Sequence, residues 1–286
     1  MWVYAVFVVV VWSTGFIVAR GIVGGADANL FLVARFSAVA LLFFIICRFA
    51  RIPLPRGRKC LPHLFTGVIM HGLYLGISYH AVAQGLPPAF MALLGALQPA
   101  FAAVIAAFLL HVRPDKRFAA GFGTALGGVI LVLLPGLRAA GAEAIAPVAA
   151  EAGVLAVLCL SLGAVLQKRL ASAADLRASF ALQNLGGAGT CIILALIFGE
   201  NTFHLTTTVV LSWVWATFIL SGAATFLLIF LLRRFDPARL STLMLLAPPL
   251  AAVQAWLFFG NTLEVSQLVG FAVALLGTAL CRPLKA

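Results

Sequence analysis

Ten apolar stretches of 17–25 residues follow one another almost without pause along the chain. They cover residues 2–19, 29–47, 61–84, 87–111, 116–135, 151–167, 176–198, 208–232, 237–260 and 263–281, with ends good to a few residues. A transmembrane helix needs about 20 mostly apolar residues. In hydrocarbon every backbone N–H and C=O must be satisfied within the protein, which leaves only helices and closed barrels. A barrel would alternate polar and apolar positions along segments of about 10 residues. Runs such as "VVVVW" and "LLFFIIC" do not alternate. The expected fold class is an all-α polytopic membrane protein with ten transmembrane helices. With 64% hydrophobic and 9% charged residues, the chain has too few polar groups to cover a soluble surface. The opening "MWVYAVFVVVVWSTGFIVARG" lacks a basic n-region and a small-x-small cleavage pattern, so it reads as an uncleaved first span.

Charge orients the spans. The loops after spans 2, 4, 6 and 8, with the C-terminal tail, carry 16 Lys and Arg residues, whereas the alternate loops hold only Arg20 and Arg138. This asymmetry predicts cytoplasmic N- and C-termini. It also accounts for the net charge of +11 without nucleic acid: the basic loops face anionic membrane lipid. The five cysteines (Cys47, Cys60, Cys159, Cys191, Cys281) form no CxxC pair, and no disulfide or metal site is expected.

The chain also resembles itself. An offset of 149 residues aligns Pro88 with Pro237, Pro99 with Pro248, Gly121 with Gly270, Gly128 with Gly277 and Arg35 with Asn184, without a gap. Such matching indicates a duplication. It divides the chain into a first five-helix repeat (1–137), a connecting loop (138–149) and a second repeat (150–286). Five is odd, so the second copy enters the membrane from the opposite side, and the repeats are expected to be of inverted topology, as in secondary transporters. Pro88 and Pro237 fall at helix starts, with Asp236 as a candidate N-cap for the latter. Pro99 and Pro248 lie 11 residues further in, roughly 16 Å along a helix and near the bilayer middle. There a proline removes a backbone hydrogen bond, so both are expected to act as hinges or to line a site, the alternative being a role in packing alone. Glycine-rich runs such as "GFGTALGG" read as close helix contacts. They are not a dinucleotide loop, since no strand precedes them.

The paired "QPAFAAVIAAFLL" and "PPLAAVQAWLFFG" followed by a glycine-rich last helix, the opening "VWSTGFIVAR" and the "ARFSAVALL" around Arg35 resemble the drug/metabolite transporter superfamily, EamA type. Within it the chain is most similar to the YddG-type bacterial amino-acid exporters. The resemblance covers almost the whole chain. It implies a multi-pass protein of the bacterial cytoplasmic (inner) membrane that exports small metabolites, amino acids first, needs no cofactor and works as a monomer. One departure is visible. Family members often carry Glu after the fourth or ninth span, where this chain has "LLHVRPD" and "FFGNTLE".

Polar residues at membrane depth are the candidates for a site. Arg35 lies six residues into span 2; it either meets a substrate carboxylate or an outer gate, or snorkels and caps carbonyls. Asn184 is its repeat mate. His71, Tyr74 and Ser78 share one helix face, and either line the pathway or bond between helices. Trp12 sits too deep for an interfacial belt and is expected to wall a cavity against an apolar or aromatic substrate, or to pack in the core. Ser13, Gln98 and Ser161 are further candidates, while Tyr79 and His80 are expected nearer the outer interface. All eight carboxylates fall in loops or at span ends, unlike a cation antiporter driven by an intramembrane acid. A nucleotide-sugar carrier would need more cavity cations than Arg35. An intramembrane enzyme would need a GxSxG, an HExxH or paired acids, and none occurs. The reading is thus a secondary transporter, not an enzyme, whose partner is a small-molecule substrate.

Overall fold

The computed structural model describes residues 2–110, 116–138, 145–170, 174–224, 227, 246–261 and 263–280. Six apolar helical stretches are long enough to cross a membrane: Ala28–Phe49, Gly57–Ala83, Pro88–Ile105, Lys116–Pro135, Pro147–Gln167 and Leu176–Phe198. Four shorter ones, Val6–Gly21, Thr207–Ala223, Ala247–Phe259 and Val265–Leu280, fall within the other expected spans. The described residues contain no strand, only an isolated antiparallel bridge between Ala26 and Phe203. Asp236 and Pro237, Cys281 and residues 139–144 of the connecting loop lie outside the described residues.

Several spans are not single α-helices. Span 1 divides into α1 (Trp2–Ser13) and α2 (Gly15–Gly21), with Thr14 between them. Span 2 is α3 (Ala28–Phe49). Span 3 joins α4 (Leu61–Gly67) to α5 (Tyr74–Ala83) through a π-helical stretch, Val68–Leu73. Span 4 consists of α6 (Pro88–Ala96) and α7 (Gln98–Leu110), and α8 (Lys116–Arg138) closes the first half. The second half has α9 (Pro147–Leu170), α10 (Leu176–Phe198), α11 (Thr207–Val214) running into a π-helical stretch Trp215–Ala223, α12 (Ala247–Phe259) and α13 (Val265–Leu280).

Local chemistry explains the ends. The Asp175 carboxylate caps α10 by accepting from the Arg177 N–H at 2.9 Å, and Gly199 closes the helix in the left-handed region (φ 66°) that glycine adopts without strain. Thr206 caps α11 through the Val209 N–H.

Small residues set the packing. Gly67 lies against the Gln183 backbone, Gly72 against the Thr190 side chain, and Gly76 against Asn29 and Leu194, so span 3 runs parallel to α10. On α8 a side chain at Gly128 would meet the backbones of Ala274 and Gly270. On α13 one at Gly277 would meet Ala125 and Gly121. These two contacts interchange when 149 is added to α8 numbers and subtracted from α13 numbers. Early positions of one helix face late positions of the other, so α8 and α13 are antiparallel.

Candidate functional site

Arg35 is buried at 4% exposure inside the bundle and bonds to two elements besides its own α3. Its Nη1 donates to the Tyr79 hydroxyl (3.1 Å) on α5, and that hydroxyl donates to the Gly15 carbonyl (3.0 Å) at the start of α2. Nε (3.3 Å) and Nη2 (3.0 Å) both donate to Ser221 Oγ on the second π-helical stretch. Among the described residues no carboxylate pairs with it. A buried guanidinium served only by neutral oxygens keeps an uncompensated charge, which an anionic group would stabilise. The guanidinium also stands 5.9 Å from the Phe36 ring centroid.

The other expected residues occupy varied settings. His71 is flanked edge-on by Phe36 (5.9 Å) and Phe180 (5.4 Å), and its buried Nδ1 has no hydrogen-bond partner among the described residues. Tyr74 is half-buried, with its hydroxyl toward Gly95 on α6. Ser78 is fully buried and donates back to the Tyr74 carbonyl, a local bond within its own helix. Asn184 donates to the Phe180 carbonyl and leaves its buried Oδ1 unpartnered among the described residues. Ser161 donates to the carbonyls of Gln98 (3.2 Å) and Val157 (2.8 Å), tying α9 to the break in span 4. Ser13 accepts from Gln254 Nε2 at 2.9 Å, joining span 1 to α12. Trp12 is 36% exposed and so is not sealed in the core.

Pro99 and Pro248 both occupy the first turn of a helical segment, Gln98–Leu110 and Ala247–Phe259. Span 4 turns at Leu97 (φ −78°, ψ −8°), and α12 begins after Leu246 (φ −79°, ψ −13°), the position 149 residues on. A proline in a helix's first turn needs no N–H, which suits the start of a helix at each proline and the turn at Leu97 in span 4. The two π-helical stretches also coincide under the same offset, since 68–73 maps to 217–222. Such stretches concentrate at functional sites because a wider turn leaves backbone groups free.

Sequence reasoning put Tyr79 near an interface; it is 1% exposed and an Arg35 partner. Ser221 and Thr217 were not singled out. Thr217 is fully buried one turn before Ser221, with its hydroxyl unpartnered among the described residues. Their signal was the offset itself, which sets them opposite the span that holds His71. Glu200 was also missed as a structural group. Its carboxylate accepts from the Asn29 N–H (2.7 Å), Asn29 Nδ2 (2.7 Å) and the Leu30 N–H (3.1 Å), capping α3 from 171 residues away. Asp27 returns the contact by accepting from the N–H groups of Asn201 (2.8 Å) and Thr202 (2.7 Å). Backbone bonds Asp27 N–H to Thr202 carbonyl and His204 N–H to Gly25 carbonyl complete a clasp between the loop of spans 1 and 2 and that of spans 7 and 8. Glu200→Gln is expected to lower the thermal midpoint of the detergent-purified protein, reflecting about 1–2 kcal/mol of lost cap. Glu151→Gln, at an exposed position on α9, should leave the midpoint unchanged.

No curated protein matches this chain. One solved structure, whose description reads "Crystal structure of protein", is 21% identical, spans 97% of this chain and 94% of its own, and superposes with a TM-score of 0.64, a likeness of fold. The sequence model of the EamA-like transporter family matches twice, over residues 1–134 and 149–282, so nearly the whole chain consists of two copies of the family's unit. The chain belongs to the EamA-like transporter family.

Proposed function

We propose that the chain is an alternating-access secondary transporter that exports small zwitterionic metabolites, amino acids with aromatic or apolar side chains first, across a bacterial cytoplasmic membrane. The observation that carries the substrate class is Arg35, a buried guanidinium without a carboxylate partner among the described residues. A substrate carboxylate supplies that partner, and bidentate pairing with a planar fork fixes its orientation. The unpartnered Asn184 Oδ1 and Gln254 Oε1 are acceptors suited to an ammonium. Tyr74 and Trp12 would contact the side chain.

The mechanical part of the proposal is two five-helix repeats of inverted topology making ten crossings, with both termini cytoplasmic. Its support is the offset of 149 residues, seen three times over. The α8–α13 contacts exchange under it, and the helix starts after Leu97 and Leu246 and the two π-helical stretches coincide under it. Pro99 and Pro248 then serve as hinges, and rocking one half against the other opens the centre to each side in turn.

Counterflow in proteoliposomes with a panel of amino acids, run with and without a pH gradient, tests the proposal. Phenylalanine, leucine and similar substrates should exchange, and the two conditions separate proton coupling from diffusion down a gradient. Exchange of a sugar nucleotide but of no amino acid would refute the substrate class.

A further inference from the structure

We infer that Ser221 is a placeholder for the substrate carboxylate: its hydroxyl sits in the fork of Arg35 that a carboxylate would take, so substrate binding displaces it and frees span 8 from span 2. The inference rests on the reading of Arg35 as the carboxylate site.

Geometry supports the exchange. The five N–H groups of a guanidinium form two-pronged edges, and carboxylates prefer two parallel bonds to one edge. Tyr79 accepts from Nη1. The Nε–Nη2 edge faces a single oxygen, Ser221 Oγ, at 3.3 and 3.0 Å. One neutral hydroxyl shared between two donors is a weaker acceptor than a carboxylate offering each donor its own oxygen. The Tyr79 bond steadies the guanidinium while the other edge changes partner, since the Tyr79 hydroxyl is itself anchored on the Gly15 carbonyl.

The surroundings allow Ser221 to leave. It lies in the π-helical stretch Trp215–Ala223. A side chain added at its neighbour Gly222 would find only ordinary van der Waals contacts, the Thr217 carbonyl at 3.5 Å and Leu42 at 3.7 Å. Gly222, next in the chain to Ser221, lines a cleft of about 340 Å³ with Phe218 and Ala223, facing Leu42, Ile46 and Arg177. The first repeat lacks this device. The position matching Ser221 is Gly72, which is wedged against Thr190, and the position matching Arg35 is Asn184. Span 3 is therefore fastened to α10 by close packing, whereas span 8 is fastened to α3 by a bond that a ligand can replace.

The test uses the full-length protein in proteoliposomes, with L-phenylalanine and L-phenylalaninamide as competing probes in counterflow. Ser221→Ala removes the internal competitor. It should lower the half-maximal phenylalanine concentration about 5–10-fold, the equivalent of one hydrogen bond, with no change for the amide. Ser221→Asp installs a permanent carboxylate in the fork and should weaken phenylalanine at least ~50-fold while the protein stays folded by thermal midpoint and gel filtration. If Ser221 merely positions Arg35, Ser221→Ala will weaken phenylalanine or leave it unchanged, and the inference fails while loss of binding in Arg35→Ala keeps the carboxylate reading. If Arg35→Ala also binds phenylalanine as the parent does, the carboxylate reading fails with it. Should Ser221→Ala not fold, Ser221→Asp decides alone: undiminished phenylalanine binding overturns the proposal.

Discussion

Arg35→Ala is expected to reduce exchange of carboxylate-bearing substrates by about 100-fold or more while the folded yield holds. Two charge-assisted hydrogen bonds to one carboxylate, each worth about 1.5–3 kcal/mol, set that scale, because 2.7 kcal/mol corresponds to a factor of roughly 100. Folding should survive for two reasons. An arginine within a membrane helix costs about 2.5–3.5 kcal/mol on insertion scales, and alanine removes that cost. The Tyr79 hydroxyl, moreover, keeps its own bond to the Gly15 carbonyl. Arg35→Lys separates charge from shape. A lysine keeps the positive charge but has no planar fork, so it should fall between the parent and the alanine variant. Initial counterflow rates normalised to reconstituted protein, with thermal midpoints beside them, measure both arms.

A second large effect is expected at the seam between α8 and α13. Gly128→Val and Gly277→Val should each abolish accumulation of folded protein, and the alanine variants should lower the thermal midpoint by similar amounts. The neighbours at these positions are backbone atoms, which cannot rotate out of the way as a side chain does. A single methyl therefore has to push two helices apart, and overpacking of that kind costs about 1–3 kcal/mol even where side chains can adjust. The same helix supplies its own control. Gly123 and Gly127 face open space, so Gly123→Ala and Gly127→Ala should leave the midpoint unchanged or raise it through helix propensity. Equal damage at Gly123, Gly127 and Gly128 would mean that glycine acts on α8 itself rather than on its contact with α13.

The spans were legible because their signal is continuous: twenty apolar residues in a row allow few structures in a bilayer. The glycines at 121, 128, 270 and 277 were legible as contacts because small residues recur where helices touch, and the 149-residue offset tied them together. What was hidden depends on distant pairing. Nothing local distinguishes Glu200 from any acid at a span end, and its role as the cap of α3 exists only once two loops 171 residues apart meet. Tyr79 looked interfacial from its distance to the span end, but the turn geometry of span 3 brings its hydroxyl to the guanidinium. The π-helical stretches leave no compositional mark, and Ser221 is one small hydroxyl among many. The prolines signalled an interruption but not its site: span 4 turns at Leu97, two residues before Pro99, and α12 starts just after Leu246, two before Pro248, where a helix can begin without the missing N–H.

The Asp27–Glu200 clasp has a consequence for energetics. Under the repeat offset Glu200 corresponds to Arg51 and Asp27 to Leu176, so the matching loops, which the proposed inverted topology puts on the other face, carry no acid at either position. Two copies with the same fastenings would be isoenergetic whichever way the molecule tilted. In the proposed two-state arrangement the cross-loop bonds of Asp27 and Glu200 tip that balance, and each kcal/mol they contribute changes the ratio of the two tilts about fivefold. If the duplication supplies two shapes, as proposed, these two acidic side chains decide which of them the protein rests in.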